Sequence, residues 1–380
     1  MEGRAPQDPA DWSSLRALVR RDLEPLVGAI DQDGLYPEAV LRRFGEAGLF
    51  AHHVTGEAGG GLWNAIAGMG VVGEACLSTA FAVWCQDACA WYLSNSANTA
   101  LRDSLLPEVA AGRQLGGTGL SNPMKAYAGI DTVRLTGERV SGGYVVTGVL
   151  PWVSNLGDGH VFGAIFSVPG RTGNVMALLR CGQEGVSIAQ RSHFCALEGT
   201  RTVAVMVKRA FIADEQILAD PAELFLVAIT PGFILLQAGM ALGLIRGAVA
   251  AMREADASHG AINAYLPERP DLFEEALATL EATVAELAAT PHRNNPDYMR
   301  PLLEARLAAA DWSLRAANAA MLHAGARGYL RDATAQRRLR EAYFVAIVTP
   351  SIKHLRKELS EIEQGRGCMR LWKSVAAVAG

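Results

Sequence analysis

Apolar residues recur at three- and four-residue steps near the start of the chain: Trp12, Leu15, Leu18, Val19 and Leu23, with Arg20 and Arg21 off that face and Arg16 at its margin. That period gathers one side of a helix, so residues 11 to about 110 are predicted helical. Pro25 ends the tidy pattern, Asp31 to Gly34 carries turn chemistry, and Pro37 suits the first position of a helix that starts at Glu38 and stops near Gly48. Residues 65–106 are rich in Ala, Cys, Leu and aromatics with scattered charges, which predicts helices buried on most sides. Near residue 112 the period drops to two. VRLTGERVSGGYVVTGVLPWVSN alternates around a Ser141-Gly142-Gly143 hairpin turn, and VFGAIFSV, VMALLRC and TVAVMVKRAFI predict further strands. Helical texture returns at Leu218. It predicts one long helix from Phe233 to Arg253 with Gly239 and Gly243 at close helix contacts, and a second from Leu272 to Ala289 capped by Asp271. A third runs from Leu302 to Ala326, with HRNNPDYMRP as a loop or helix start, and a fourth from Gln336 to Leu359; residues 366–380 read as a tail. Three units follow: residues 1–111 helical, 112–217 β-rich, and 218–380 helical.

Composition narrows the class. The 380 residues exceed one simple core, and 50% hydrophobic with 19% charged residues suits a soluble globular protein. A net charge of -4 and pI near 6.1 argue against a nucleic-acid-binding surface. The first twelve residues have no apolar signal region, and the apolar run from Phe225 to Leu244 contains Pro231, three glycines and Gln237, so a buried core helix is expected rather than a membrane span. The six cysteines lack paired metal-binding spacing and read as small buried hydrophobes of a reducing cytoplasm. No nucleophile elbow, P-loop, zinc box or dinucleotide fingerprint is present, and the run Gly59 to Gly61 lacks the strand and helix that phosphate binding needs.

Four segments, in order, carry a resemblance. Residues 30–60, IDQDGLYPEAVLRRFGEAGLFAHHVTGEAGG, pair a turn with a helix that ends in glycine. GTGLSNPMKAYAGID (117–131) and YVVTGVLPWVSNLGDGHVFGAIF (144–166) bracket the first strands. HAGARGYLRDATAQRRLREAYFVAIVTPSIKHL (323–355) joins a small-residue loop to a basic amphipathic run through Arg337, Arg338 and Arg340. Together they resemble the acyl-CoA dehydrogenase superfamily over roughly residues 11 to 360. The resemblance implies a mainly α fold with an inserted β-domain: an N-terminal helical part, a middle β-barrel and a C-terminal four-helix bundle. It implies FAD as cofactor and a homodimer or homotetramer in which the flavin bridges subunits.

Carried over position by position, the resemblance places Leu120 and Ser121, then Trp152, Val153 and Ser154, and also Ser351, against the flavin, where hydroxyls bond its polar rim and an indole packs on its edge. It places Gly325 and Gly328 where backbone approaches the dinucleotide of a neighbouring subunit, and His259 near the position of an arginine that meets the pyrophosphate. Read as plain sequence, 117–131 is an Asn-Pro turn, Trp152 a β-domain core residue and His259 an exposed loop histidine. The chain departs from the family at its base. Thr349 stands where a glutamate abstracts a proton, and no carboxylate lies near Gly232, the alternative place for one. Glu341, Glu358, Glu361 and Glu363 read as surface or ion-pair residues, and His160 and His193 as structural or exposed. Three functions stay open: an oxidoreductase acting on acyl-CoA or a similar small substrate with a displaced base, a flavin-dependent monooxygenase of the same fold, and a flavin- or acyl-binding protein with little catalysis.

Overall fold

The structure, a computed structural model, describes residues 12–54 and 61–366. Gly59, Gly60, Cys368 and most of the expected tail lie outside them.

The N-terminal helices are α1 (Ser13–Leu18), α2 (Val27–Gln32), α3 (Glu38–Glu46), α4 (Gly61–Ala75), α5 (Leu77–Asn95) and α6 (Thr99–Ala110). Pro37 is the cap of α3 rather than its first residue, and Gly48 follows that helix at φ +82°, a conformation glycine adopts without a Cβ clash. Every residue of α5 from Leu77 to Leu93 is buried, which is why its sequence shows no polar face. Among the cysteines, Cys76, Cys85, Cys89 and Cys181 are buried as expected, but Cys195 is exposed.

The middle of the chain forms an eight-stranded sheet from β1 (Gly116–Thr118), β2 (Leu135–Val140), β3 (Gly143–Val153), β4 (Val161–Ser167), β5 (Val175–Arg180), β6 (Val186–Ala189), β7 (Val203–Ala213) and β8 (Ile217–Ala219). The strand order is β6-β7-β3-β2-β4-β5-β8, with β1 parallel to β4 off that path. Gly142 takes the positive φ of the β2–β3 turn. A helix, α7 (Ser121–Tyr127), stands where the sequence reads as an Asn-Pro turn. Pro123 sits in its first turn, where a missing N–H leaves no hydrogen bond unmade.

The remaining helices are α8 (Ala222–Leu236), α9 (Ala238–Asn263), α10 (Pro270–Ala288), α11 (Pro296–Ala324), α12 (Thr334–Ile347) and α13 (Ile352–Glu363). Two expected continuous helices are broken. The expected Phe233–Arg253 helix divides at Gln237, and the expected Gln336–Leu359 helix divides at residues 348–351, where Pro350 removes a donor and disfavours helix at Thr349. Asp271 does not cap α10: Arg269 does, and Asp271 accepts from Arg253 at 2.8 Å. Asn295 caps α11 by accepting from the Tyr298 N–H at 3.0 Å.

The apolar stretch Ala222–Asn263 is long and apolar enough to cross a membrane, but 78% of its most apolar window is buried. It runs through a core shared by N-terminal and C-terminal helices, whereas the sheet encloses a core of its own that includes Val146, Phe162 and Ile212.

Candidate active site

Sheet register builds the first half of the site. Val153 pairs with Val203 in the antiparallel β3–β7 ladder, so Ser154 after one strand and Thr202 before the other fall opposite each other. Their hydroxyls meet at 2.6 Å, and Thr202 meets Thr200 at 2.7 Å. Thr200 gives its own proton to the Leu197 carbonyl at 2.7 Å. Each hydroxyl has one proton, so Thr202 must donate to Thr200 and Ser154 to Thr202. Ser154 is left with lone pairs and no free proton: it is an acceptor toward any ligand, not the donor its sequence position suggests.

The second half comes from the helix break. Freed from helix, Thr349 turns its hydroxyl to Ser121 Oγ at 3.1 Å, and its carbonyl accepts from Gln237 Nε2 at 2.8 Å. Arg306 Nε donates to Gln237 Oε1 at 2.8 Å, and Arg306 also donates to the Val345 carbonyl at 2.8 Å. The Arg306 guanidinium is buried with no carboxylate paired to it among the described residues, and burial lowers its pKa to about 10. The two helix breaks, at Gln237 and Pro350, therefore support each other.

Between these halves lies a cavity of about 270 Å³ lined by Thr118, Ser121, Trp152, Ser154, Thr202 and Thr349 on its polar side. Aromatic rings from the helices form the apolar side. Phe81 and Trp84 stack at 5.5 Å, Phe344 meets Phe81 edge-on at 4.5 Å, and Phe233 meets Trp84 at 5.1 Å. Trp152 is 54% exposed, so it is no core residue: it forms a wall open to a ligand. Among the described lining residues there is no carboxylate and no histidine, and the titratable groups are Cys85 and Lys125. Burial, reinforced by neighbouring Cys89, pushes the Cys85 thiol well above its ordinary pKa, so it stays protonated.

Of the residues singled out from sequence, Ser121, Trp152, Ser154 and Thr349 meet at this cavity, while Leu120 and Val153 are buried beside it in the backbone that carries them. Ser351 lies two residues past Thr349 as the cap of α13 and is not part of the lining. Gly328 belongs elsewhere, to a hollow of about 210 Å³ with Ser258, His259, Arg327 and Thr334. Gly325, adjoining that hollow at φ +58°, has open space where a Cβ would stand. His259 is exposed as expected but lies on helix α9, not in a loop. A larger depression, about 1210 Å³, borders the cavity at Phe194 and holds the Asp31–Arg340 ion pair.

None of the glutamates set aside above reaches the cavity lining. Glu341 and Glu358 are buried rather than on the surface, Glu341 paired with Arg338 and Glu358 with Lys357. Glu361 pairs with Lys357 and Glu363 with Arg300. His160 is buried, its Nδ1 3.1 Å from the Asn155 carbonyl, and the His193 side chain is 92% exposed. Sequence reasoning missed Phe81, Trp84, Thr200, Thr202 and Lys125. A helical reading of 121–127 would have signalled Lys125, four residues after Ser121 and so on its face.

Residues 12–113 match the family model described as acyl-CoA dehydrogenase, N-terminal domain. The chain is 24% identical over 367 residues to the probable acyl-CoA dehydrogenase YngJ of Bacillus subtilis (strain 168), covering 88% of this chain and 91% of that protein. Butyryl-CoA dehydrogenase from Megasphaera elsdenii has the same fold, with a TM-score of 0.82 at 16% identity over 95% of this chain and 99% of that one. KijD3, solved in complex with FMN and dTDP-3-amino-2,3,6-trideoxy-4-keto-3-methyl-D-glucose, gives a TM-score of 0.76 at 17% identity over 96% and 95% of the two chains.

Proposed function

We propose that this chain, which belongs to the acyl-CoA dehydrogenase superfamily, is an FAD-dependent oxidoreductase acting on an acyl thioester or similar small substrate, without the carboxylate base usual to the fold. The observation that carries the reading is the cavity wall formed by Trp152, Ser121 and Ser154. An exposed indole beside polar hydroxyls suits a planar ring with a polar rim, and an orphaned flat surface of this kind is costly to leave facing water. Bound flavin would supply the two-electron redox chemistry. Trp152 would pack on the ring edge, Ser121 would bond its rim, and Ser154 would accept from a ring N–H. The rings of Phe81, Trp84 and Phe233 exclude water from the apolar end.

Gly325, Gly328 and His259 would approach the dinucleotide of a second subunit, consistent with a homodimer or homotetramer. Thr349 cannot take a proton near neutral pH, so α-proton removal needs a base brought by another group. A monooxygenase of the same fold needs no such base, and the lack of any carboxylate among the described lining residues favours it as the second reading.

FAD titration followed by visible absorbance tests the reading. Saturable binding is expected, and Trp152→Ala should lower flavin occupancy at least about tenfold while helical content survives, the scale of losing one aromatic contact in a closed site. Unchanged occupancy in the variant removes Trp152 from the site. Anaerobic bleaching by butyryl-CoA then selects the dehydrogenase; oxygen uptake with a reduced nicotinamide and no bleaching selects the oxygenase.

A further inference from the structure

We infer that Lys125 is the group that recognises an anionic substrate in this cavity, so that the preferred ligand is a small apolar acid, or an acyl compound carrying a negatively charged oxygen near its reacting end. The inference rests on the reading above that this cavity takes the flavin ring, and adds that the substrate enters the same cavity beside it. Lys125 lines the cavity and is the one charged residue among its described lining residues. It stands one turn after Ser121 on the same face of α7, and Ser121 touches Thr349, so the cation flanks the position where the fold's usual glutamate is missing.

Nearby acids are already engaged and leave Lys125 without a counter-charge. Asp131 accepts from Arg134, Asn122 and the Thr132 N–H. Glu223 accepts from Tyr127 at 2.8 Å and from the Asn174 N–H at 2.9 Å. Among the described residues, Lys125 has no side-chain hydrogen bond or ion pair. An ammonium at the edge of a largely apolar space attracts negative charge more strongly than one in open water, because the surrounding rings screen it poorly. The cavity also carries the Ser121 and Thr349 hydroxyls, which stabilise an oxygen anion when one of them donates to it. The sign of the local charge is thus reversed from that of a carboxylate-based site.

The test is ligand-observed NMR titration of the whole chain, with and without saturating FAD, using butanoate and the isosteric neutral butanamide as probes. Wild type should bind butanoate at least about tenfold tighter, the scale of a charge-assisted contact. Lys125→Met should abolish that preference and leave butanamide affinity unchanged, while Lys125→Arg should retain most of it. Equal affinities in wild type, or a preference that survives Lys125→Met, overturn the inference. So does a Lys125→Met protein that loses FAD affinity while keeping the preference, because the cation then serves the dinucleotide phosphates. A preference for butanoate in a chain that binds no FAD would instead sink the flavin reading and leave Lys125 in its role.

Discussion

Asp87 shows at the scale of one residue what burial does to charge. Its carboxyl group is fully buried, neither oxygen has a hydrogen-bond partner among the described residues, and His53 Nδ1 lies 3.9 Å away. Burial raises the Asp87 pKa well above its ordinary value and lowers that of His53 to about 4, so each shifts toward its uncharged form and the two do not make an ion pair at neutral pH, where His53 is neutral. The His53 Nε2–H donates to the Asp87 carbonyl at 2.9 Å, which leaves Nδ1 as a bare acceptor facing the Asp87 carboxyl. The unfolded chain releases the Asp87 proton near pH 4 and the folded chain holds it, so this group's contribution is greatest below about pH 4 and declines as pH rises toward the folded pKa. His53 acts in the opposite sense: unfolded it charges near pH 6.5, folded only near 4, so stability falls as pH drops through that window. Asp87→Asn should therefore raise the melting temperature by a few degrees at pH 8 and by less at pH 5, as read by calorimetry at both values. An equal shift at both would mean that Asp87 is ionised in the fold. Nothing in the local sequence AVWCQDACA marks Asp87 as uncharged, because helical phase alone does not reveal that all sides of α5 are covered.

Among the elements, α12 does more than its sequence suggests. A basic run reads as a solvated face, yet Arg338 is among the largest fully buried side chains. Its guanidinium donates to the carbonyls of Gly73, Glu74 and Ala75 at the end of α4, and to Glu341 at 3.0 Å. Glu341 in turn accepts from the Leu77 N–H at the start of α5, at 3.3 Å. One cation meets the negative end of a helix and one anion the positive end of the next, across the single-residue break at Cys76. Arg338→Met should lower unfolding free energy by roughly 2–3 kcal/mol in urea, since it leaves the buried Glu341 with Arg337 and the Leu77 N–H alone and takes the donor from the Gly73 and Glu74 carbonyls. The double change Arg338→Met with Glu341→Leu should be milder than the single one. A loss under about 1 kcal/mol would show that water reaches the break. The same lesson applies at Gln237 and Pro350: the expected Gln336–Leu359 helix ran across the local signal of Pro350, whereas the Gln237 break depends on Arg306 and Thr349, over a hundred positions apart from it in one case, and no local signal carries that.

For the whole molecule, several large apolar side chains of the C-terminal helical region face outward. Leu322, Tyr329, Leu330, Tyr343 and Ile347 are 56–86% exposed. Such residues concentrated in one stretch of sequence suit contact with further copies of the chain. Sedimentation velocity should give a dimer or tetramer, and Tyr329→Glu with Leu330→Glu should shift the population toward monomer and weaken FAD retention together. A monomeric wild-type chain with full FAD occupancy would contradict flavin bridging.

The sequence by itself determined the helix–sheet–helix order and the β2–β3 hairpin, since these follow from local period and turn chemistry. It also singled out Ser121, Trp152, Ser154 and Thr349, which meet at the cavity. Only the tertiary structure decided the direction of the Ser154 hydroxyl chain, the aromatic end of the cavity, the burial of Arg338 and Asp87, and the position of Lys125 opposite no acid. Those properties depend on partners far apart in the chain, and the free energy of a charge or a hydroxyl is set by what surrounds it, not by its neighbours in sequence.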